Sequence, residues 1–350
     1  MRHGALLALV SAALFGLSTP LSKPLLDGLG PVLLAALLYL GAALVLSPGV
    51  LRRFVREGTT LPPDRPNRLR LGGAVLFGGV LGPVLLLSGL SLAKAASVAM
   101  WLNLETVATA VLGVTLFREQ LGWLAWVGNG VVFVAGLLLA WEGGPAGWTA
   151  AALVAGAAVC WGLDNNLTAV IDGLRPEEST FWKGLVAGST NLTLAAVLGQ
   201  LVAPDITWVH ALVLGAFAYG LSITLYITSA QGIGAVRSQM LFATAPVFGI
   251  VGAALWLGEG MAPLQVLAAG LLVVANALWL FDDHGHSHHH EATRHEHWHR
   301  HDDGHHRHDH PGLEVAGWHC HDHDHDAVEH EHPHVPDLHH RHPHEPGGST

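Results

Sequence analysis

The first 281 residues consist of long apolar runs joined by short polar links. A membrane span needs about 20 mostly apolar residues, because the hydrocarbon layer of a bilayer is roughly 30 Å thick. Ten stretches meet this requirement: 4–26, 31–48, 71–92, 95–117, 122–141, 148–171, 178–202, 208–230, 235–257 and 262–281. The first begins like a signal peptide, but no small-residue cleavage site follows it, so we expect a retained helix. The pattern predicts an all-α integral membrane protein with ten transmembrane helices.

Basic residues are distributed unequally between the two predicted sides of the membrane. When the N-terminus is placed in the cytoplasm, eleven Lys and Arg residues fall on cytoplasmic segments, whereas only Lys23 and Lys94 fall on the outer side. Cytoplasmic loops of membrane proteins carry such an excess of positive charge. We therefore expect a multi-pass protein of the plasma (cell inner) membrane, with both termini in the cytoplasm.

Two halves of the apolar region resemble each other. "LLDGLGP" at 25–31 follows the first predicted helix, and "VIDGLRP" at 170–176 follows the sixth. An aromatic-glycine pair precedes each of them, "FG" in helix 1 and "WG" in helix 6. Further along the chain, at a shift of 140 residues, Glu119 matches Glu259. The matches follow the same order in both halves, although chance similarity between Leu- and Ala-rich stretches is the alternative explanation.

The number of helices in each half decides how the halves are related. Five is an odd number, so the second half enters the membrane from the opposite face, and residues 1–141 and 142–281 form inverted repeats. This architecture is characteristic of secondary transporters, in which the substrate site lies near the bilayer midplane between the repeats. The sequence thus predicts two five-helix domains, followed by a third region at 282–350.

The chain resembles the EamA family of the drug/metabolite transporter superfamily. The likeness rests on the five-plus-five helix arrangement, on "LFREQL" and "WLGEGM" after helices 4 and 9, and above all on residues 243–275. It extends over 4–281 and implies export or uptake of small metabolites. The chain departs from the family where Thr106 replaces a helix-4 proline, and where Leu38, aligned with Lys183, replaces a helix-2 arginine.

Polar residues within the apolar runs are the candidate transport site, because a charge at the bilayer centre is costly unless it faces a cavity or a partner. Glu105 lies near the centre of helix 4, and Asp164 lies in helix 6. The predicted cavity is lined by Ser18, Thr19, Trp101, Glu105, Thr109, Trp161, Asp164, Asn165 and Thr244. We expect Glu105 or Asp164 to bind a substrate amine or a coupling proton; a structural polar contact or an ion pair between helices is the alternative.

The region 282–350 contains 24 of the 26 histidines, and its 15 Asp and Glu against 4 Lys and Arg account for all of the chain's net charge of −10. It has few large apolar residues, so we expect a disordered cytoplasmic tail. Imidazole binds Zn, Ni, Co and Cu. The candidate ligands are His286, His288, His289, His290, His319, Cys320, His321, His323 and His325. Incidental affinity, a metal sensor or buffer, and delivery of metal to the pore all remain open.

These observations favour a transporter of a small polar metabolite, an amino acid or an amine, that works by alternating access with proton coupling as a hypothesis. Its expected partners are a small-molecule substrate and the lipid bilayer, with no nucleic acid, no required cofactor and a monomeric or homodimeric state. No catalytic motif is present, so we do not expect an enzyme. The alternatives are a divalent metal-ion exporter for Zn, Ni or Co, and a membrane-anchored metal store or sensor without transport.

Overall fold

The computed structural model describes residues 2–58, 61–62, 64–116, 122–168, 171, 174–233, 241–280, 285–290, 293–299, 319–325 and 328–333. Fourteen α-helices are defined in these ranges. They are α1 (Arg2–Gly16), α2 (Ser18–Ser22), α3 (Pro31–Glu57), α4 (Arg65–Ala74), α5 (Gly82–Leu92), α6 (Ala95–Trp101), α7 (Leu104–Leu116), α8 (Trp123–Glu142), α9 (Gly144–Thr168), α10 (Pro176–Val197), α11 (Ile206–Gly215), α12 (Ser222–Ile233), α13 (Ala245–Leu257) and α14 (Pro263–Leu280). A short 3₁₀-helix at Pro24–Asp27 follows α2.

Several helices are long and apolar enough to cross a membrane. Within the described residues there are seven such stretches, at Gly4–Asp27, Pro31–Arg56, Arg65–Leu92, Ala95–Leu116, Trp123–Glu142, Gly144–Thr168 and Ile206–Ser229. The apolar helices α13 and α14 are shorter, and α10 has 22 residues of more polar composition. The all-helical membrane architecture is therefore confirmed, while the count of ten spans stays a prediction.

Glycines allow the central helices to pack closely. A Cβ atom added at Gly41 would meet the backbone of Leu212, and one added at Gly215 would meet the backbone of Leu38. Close approach of backbones at small residues is how helices associate in a membrane, where lipid and protein are equally apolar. As a result α3 packs along α11 on one side and along α10 on the other, and α8 packs along α14.

The helices are interrupted at a few positions. Two π-helical segments, Val75–Leu81 and Ala216–Leu221, join α4 to α5 and α11 to α12. A turn at residues 102–103 separates α6 from α7, and a turn at 243–244 precedes α13. Such interruptions change the regular backbone hydrogen bonding of a helix, and they frequently occur at functional sites. They lie inside the apolar stretches, close to the polar residues discussed below.

The structure does not confirm the expectation that the tail is disordered throughout. Four strands, β1 (Gly285–His290), β2 (Thr293–His299), β3 (His319–His325) and β4 (Val328–Pro333), pair antiparallel as β1–β4 and β2–β3. The tail alternates His with other residues over these ranges, and alternation with period two is the pattern of a strand. The disorder predicted for the region 282–350 stays a prediction.

Candidate functional site

A buried ion pair joins α9 to α10. The Lys183 ammonium lies 2.6 Å from Oδ1 and 2.7 Å from Oδ2 of Asp164, and the Thr168 hydroxyl donates to Oδ1 at 2.9 Å. Asp164 and Lys183 are 7% and 8% exposed. A buried charge is tolerated when it is paired and hydrogen-bonded, and each member of this pair satisfies the other. The structure therefore realises the ion-pair alternative for Asp164.

Gly78, in the first π-helical segment, lies beside this ion pair and is contacted by α3 and α9. Its carbonyl oxygen accepts hydrogen bonds from the Tyr39 hydroxyl at 2.6 Å and from the Trp161 indole at 3.0 Å. A Cβ atom at this position would collide with the Asp164 carboxylate. Glycine is thus required here, because the backbone of one helix approaches an ionised side chain of another. On the next residue, the Gly79 carbonyl accepts from Asn191 at 3.2 Å.

Glu105 forms a second polar group with residues of α9. The Asn165 side-chain amide donates to Oε1 of Glu105 at 2.9 Å and to the Thr109 hydroxyl at 3.2 Å. Gly162 lets the two helices approach, because a Cβ atom there would meet the backbone of Ala108 and Thr109. Glu105 is half-buried and Asn165 is exposed. Glu105 is thus less deeply buried than Asp164.

Aromatic rings connect the two polar groups. Phe15 makes ring contacts with Trp161, Tyr219 and Phe242 at centroid distances of 6.2, 5.9 and 5.5 Å. Tyr39 contacts Tyr219 at 5.3 Å, and Tyr226 contacts Phe242 at 4.9 Å. Tyr226 and Phe242 are half-buried, while the other rings of the cluster are buried. We call Phe15, Tyr39, Trp161, Tyr219, Tyr226 and Phe242 the aromatic cluster.

The remaining predicted lining residues are placed differently. Ser18 and Thr19 are 2% and 1% exposed, and the Thr19 hydroxyl has no partner within the part of the chain that the structure describes. Thr244 lies in the turn before α13 and donates to the Leu241 carbonyl at 2.6 Å. None of the three touches Glu105 in the hydrogen bonds defined among the described residues.

Trp101 is not brought to the polar groups. Its indole N–H donates to the carbonyl of Gly136 in α8 at 3.1 Å, and its ring lines an apolar groove with Phe133 and Trp148. The sequence placed Trp101 on one face with Glu105 by assuming an uninterrupted helix. The turn at 102–103 breaks that helix, so the two side chains no longer follow a common periodicity.

Charged side chains also tie helices together at one end of the bundle. The Glu259 carboxylate accepts from the backbone N–H groups of Ala95 and Ala96 at 3.0 Å each, at the start of α6. The Lys23 ammonium donates to the carbonyls of Leu90 at 2.6 Å and Ala93 at 2.9 Å, at the end of α5. Both contacts complement unpaired helix termini. They hold the chain after α13 and the end of α2 against the connection between α5 and α6.

Known proteins resemble this chain over the region of its membrane helices. The model of the EamA-like transporter family matches the chain twice, over residues 2–141 and 148–281. The chain belongs to the EamA-like transporter family. A protein of Methanothermobacter thermautotrophicus described as an uncharacterized transporter is 26% identical over 297 residues, or 79% of this chain and 86% of that protein. One crystal structure of 20% identity superposes with a TM-score of 0.59, covering 81% of this chain and 99% of its own, which shows the fold alone.

Membership of the EamA-like family makes this chain a multi-pass membrane transporter. The family match also covers the two ranges that the repeat in the sequence had singled out. It gives no substrate, and the relative from the archaeon carries no substrate in its description. The chemistry of transport must therefore be inferred from the polar groups of this EamA chain itself.

Sequence reasoning missed two parts of the site in this EamA chain. Lys183 is one of the eleven basic residues that the sequence assigns to cytoplasmic segments, yet its ammonium forms an ion pair with Asp164. The sequence contains a sign of this buried position, because Lys183 lies seven residues inside a helix long enough to span the membrane. The aromatic cluster was missed as well, because Tyr39, Tyr219 and Tyr226 are far apart in sequence and only the packing of the helices brings them together.

The predicted metal ligands of the tail lie on β1 and β3, with His286, His288, His289 and His290 on the former and His319, Cys320, His321, His323 and His325 on the latter. The register places His295 opposite His323 and His297 opposite His321. Among the side chains that the structure describes, no group of three or more His, Cys, Asp or Glu residues could hold a metal ion.

Proposed function

We propose that this EamA-family protein is a secondary transporter of the plasma membrane that moves a small polar metabolite by alternating access. One observation carries this proposal: Glu105 lies inside the apolar stretch Ala95–Leu116, half-exposed, and is held by Asn165 of another helix. An ionisable residue within a membrane span marks a substrate or proton pathway by default. Glu105 is therefore the residue that binds the substrate or the coupling proton.

The proposed scaffold consists of ten membrane helices arranged as two inverted five-helix repeats, 1–141 and 142–281. Three pairs of local features support it. The π-helical segments Val75–Leu81 and Ala216–Leu221, and the turns at 102–103 and 243–244, recur at a shift of about 140 residues. Asp64 and Asp205, which differ by 141 in number, both cap the helix that leads into the π-helical segment of their half.

Exposure at matching positions supports an inward-facing state, with both termini in the cytoplasm. Asn165 follows "WGLD" in α9 and is exposed, whereas Thr19 follows "FGLS" in the first helix and is 1% exposed. With the N-terminus inside, the end of α9 lies toward the cytoplasm and α2 lies toward the outside. The contacts of Lys23 and Glu259 then close the outer end, and the Glu105 group opens inward.

For the tail we propose binding of divalent metal ions such as Zn, Ni, Co or Cu, with an effect on transport. The histidine positions that face each other across β2 and β3 support this role. Truncation after Asp282 tests it: flux of the metabolite should persist, and its response to added Zn²⁺ should disappear. Loss of metal tolerance without any metabolite flux would instead favour the metal exporter, and loss of metal binding with no flux in either form would favour the store.

The test of the main proposal is uptake of a metabolite mixture into proteoliposomes, read by mass spectrometry, with and without a proton gradient. Glu105→Gln keeps the side-chain volume and an oxygen for Asn165 but removes the charge. It should abolish uptake of the transported compound. Asp205→Asn, a neutralisation in an exposed cap, is the matched control and should retain uptake. Equal uptake by wild type and Glu105→Gln would remove the role of Glu105, and absence of any flux would reject transport.

A further inference from the structure

The chain that follows α13 holds the start of α6 through three successive residues. The Glu259 carboxylate accepts from the backbone N–H groups of Ala95 and Ala96 at 3.0 Å each, with one oxygen for each N–H. The Gln265 side-chain amide donates to the hydroxyl of Ser97, the next residue, at 2.8 Å. The partners lie 163 to 168 residues apart, one in each half of the chain. We call Glu259 and Gln265 the latch.

The local backbone presents both side chains of the latch toward α6. Helix α13 ends at Gly258, whose φ of 65° is left-handed, a conformation that glycine adopts without strain. The backbone N–H of Glu259 then donates to the Ala253 carbonyl at 3.2 Å, which fixes the turn. The Oε1 atom of Gln265 accepts from the N–H of Ala262 at 2.8 Å, so its amide nitrogen is left for α6.

The start of α6 depends on this partner from the other half. A helix begins with N–H groups that have no acceptor inside the helix. The preceding residue, Lys94, cannot supply an acceptor, because a lysine side chain has only donors. Ala95 and Ala96 are 0% and 2% exposed, so water does not replace the Glu259 carboxylate in this conformation. If the outer end opens, water can take its place, and the contact can break without leaving the N–H groups unsatisfied.

Helix α2 lies against both elements that the latch joins. It packs on α6 and on α13, and a Cβ atom added at Gly252 of α13 would meet the Pro20 side chain. Thr19, also on α2, is 1% exposed, whereas the aligned residue of the second half, Asn165, is exposed. Separation of α6 from α13 would therefore uncover Thr19, as the counterpart of the exposure that Asn165 already has.

We propose that the latch is the outer gate of this transporter: it holds α6 while the protein faces inward, and it releases α6 each time the protein opens outward. This inference rests on the proposed function and adds the residues that control the change of state. The neighbouring contacts of Lys23 with Leu90 and Ala93 lie within the first half, so a movement between the halves does not have to break them. A contact made in one state only favours that state, so a weaker latch should populate the outward-facing state.

Cysteine labelling from the outer side measures release of the latch. In a background with Cys160→Ser and Cys320→Ser, Thr19→Cys is exposed to a membrane-impermeant maleimide in right-side-out vesicles. Glu259→Ala should raise the reaction rate of Thr19→Cys about tenfold or more, because two hydrogen bonds to a charged group are lost. Gln265→Leu removes a neutral amide of similar size and should raise the rate by a smaller factor of about two- to fivefold.

Asp205→Asn is the matched control for the latch variants. The Asp205 carboxylate also caps the start of a helix, but it accepts from the N–H of Thr207 in that same helix at 2.9 Å. Its neutralisation changes a cap that does not join the two halves. The reaction rate of Thr19→Cys should therefore be unchanged in Asp205→Asn.

A reversible crosslink tests whether the contact has to open during transport. Lys94 and Gly260 are exposed and flank the contact, and among the described residues nothing lies within 4 Å of a Cβ atom added at Gly260. In the Lys94→Cys and Gly260→Cys double variant, a short bifunctional methanethiosulfonate should stop uptake of the metabolite mixture into proteoliposomes, and dithiothreitol should restore it. The same reagent should leave uptake by each single cysteine variant intact. This test changes neither residue of the latch, so it also decides if Glu259→Ala does not fold.

The outcomes separate the gate from the function on which it rests. An unchanged reaction rate of Thr19→Cys in Glu259→Ala, or uptake that continues after crosslinking, overturns the gate, while flux of the metabolite mixture leaves the transporter standing. Fast reaction of Thr19→Cys from the outer side with an intact latch rejects the inward-facing state and the gate with it. Absence of flux in every form rejects transport and the gate together.

Discussion

Beside Gly78, the second half of the chain carries Asp164 on α9 and Lys183 on α10, whereas the aligned positions of the first half carry Ser18 and Leu38. The backbone devices recur in both halves, but the ion pair does not. The comparison teaches that matching backbone features do not require matching charges, because the ion pair is found at only one of the two aligned places.

Two interactions of the site, the ion pair and the hydrogen bond to Glu105, differ in their charges and in the halves that they join. The ion pair of Asp164 and Lys183 lies within the second half and holds α9 to α10. The hydrogen bond from Asn165 to Glu105 joins the second half to the first, and it involves a neutral donor. The hydroxyl of Thr19, which is aligned with Asn165, has no partner among the described residues. Among the described contacts between the halves, the bond from Asn165 to Glu105 is therefore one that has a neutral donor, whereas Glu259 binds the backbone of Ala95 and Ala96 with its carboxylate.

The largest expected effect comes from breaking the ion pair. Asp164→Asn or Lys183→Met leaves one buried charge without its partner, which costs about 3–5 kcal/mol. The double variant Asp164→Asn with Lys183→Met carries no charge at these two positions, like Ser18 and Leu38 in the first half, and should lose much less stability than the sum of the two single changes. Thermal unfolding of the three variants in detergent measures this coupling, and strictly additive losses would show that the pair does not act as a unit.

Gly78→Ala should cause a smaller loss of stability, because the added methyl group would collide with the Asp164 carboxylate. Overpacking of this kind costs about 1–3 kcal/mol. The matching π-helical segment already carries Ala218, so the restriction applies at Gly78 because this segment lies against the ion pair. Gly130→Ala is the control, since nothing lies within 4 Å of a Cβ atom there. Equal melting temperatures for the two variants would contradict the close approach of Gly78 to Asp164.

The smallest expected loss of stability concerns the helix N-caps, where both halves carry an aspartate. The backbone N–H of Asn67 donates to Asp64 at 3.0 Å and holds the pKa of that carboxyl below its usual range. The cap therefore contributes fully above the unfolded pKa of about 3.9, and its contribution is lost as pH falls through the lowered folded value. Asp64→Ala should cost about 1 kcal/mol at neutral pH.

Asp64→Asn isolates the titration, because Asn caps a helix equally well and carries no titrating charge. The melting temperatures of wild type and Asp64→Asn should agree near pH 7, and wild type should fall below the variant as pH drops below 4. A difference that stays constant across this range would show that the cap does not depend on the charge of Asp64. At Asp205, whose pKa is lowered by hydrogen bonds from Thr207, wild type should likewise melt below Asp205→Asn at acidic pH.

Hydrophobic pattern predicted the helical membrane architecture well, because each span must satisfy its own backbone and shows as one apolar run. It also identified Glu105 and Asn165 as candidate site residues, since a polar group in such a run stands out. It could not assign Asp164 and Lys183 to each other, because they lie in different helices and only the packing of α9 against α10 brings them together. Trp101 was misplaced because a turn of two residues left no mark in the hydrophobic pattern.

Side-specific cysteine labelling tests most directly whether the two halves enclose Glu105 and open it toward the cytoplasm. In a background with Cys160→Ser and Cys320→Ser, Asn165→Cys and Thr19→Cys are each exposed to a membrane-impermeant maleimide in right-side-out and inside-out vesicles. We predict that Asn165→Cys reacts only in inside-out vesicles and that Thr19→Cys reacts in neither. Reaction of Asn165→Cys from the outer side, or of Thr19→Cys from the cytoplasmic side, would contradict the account.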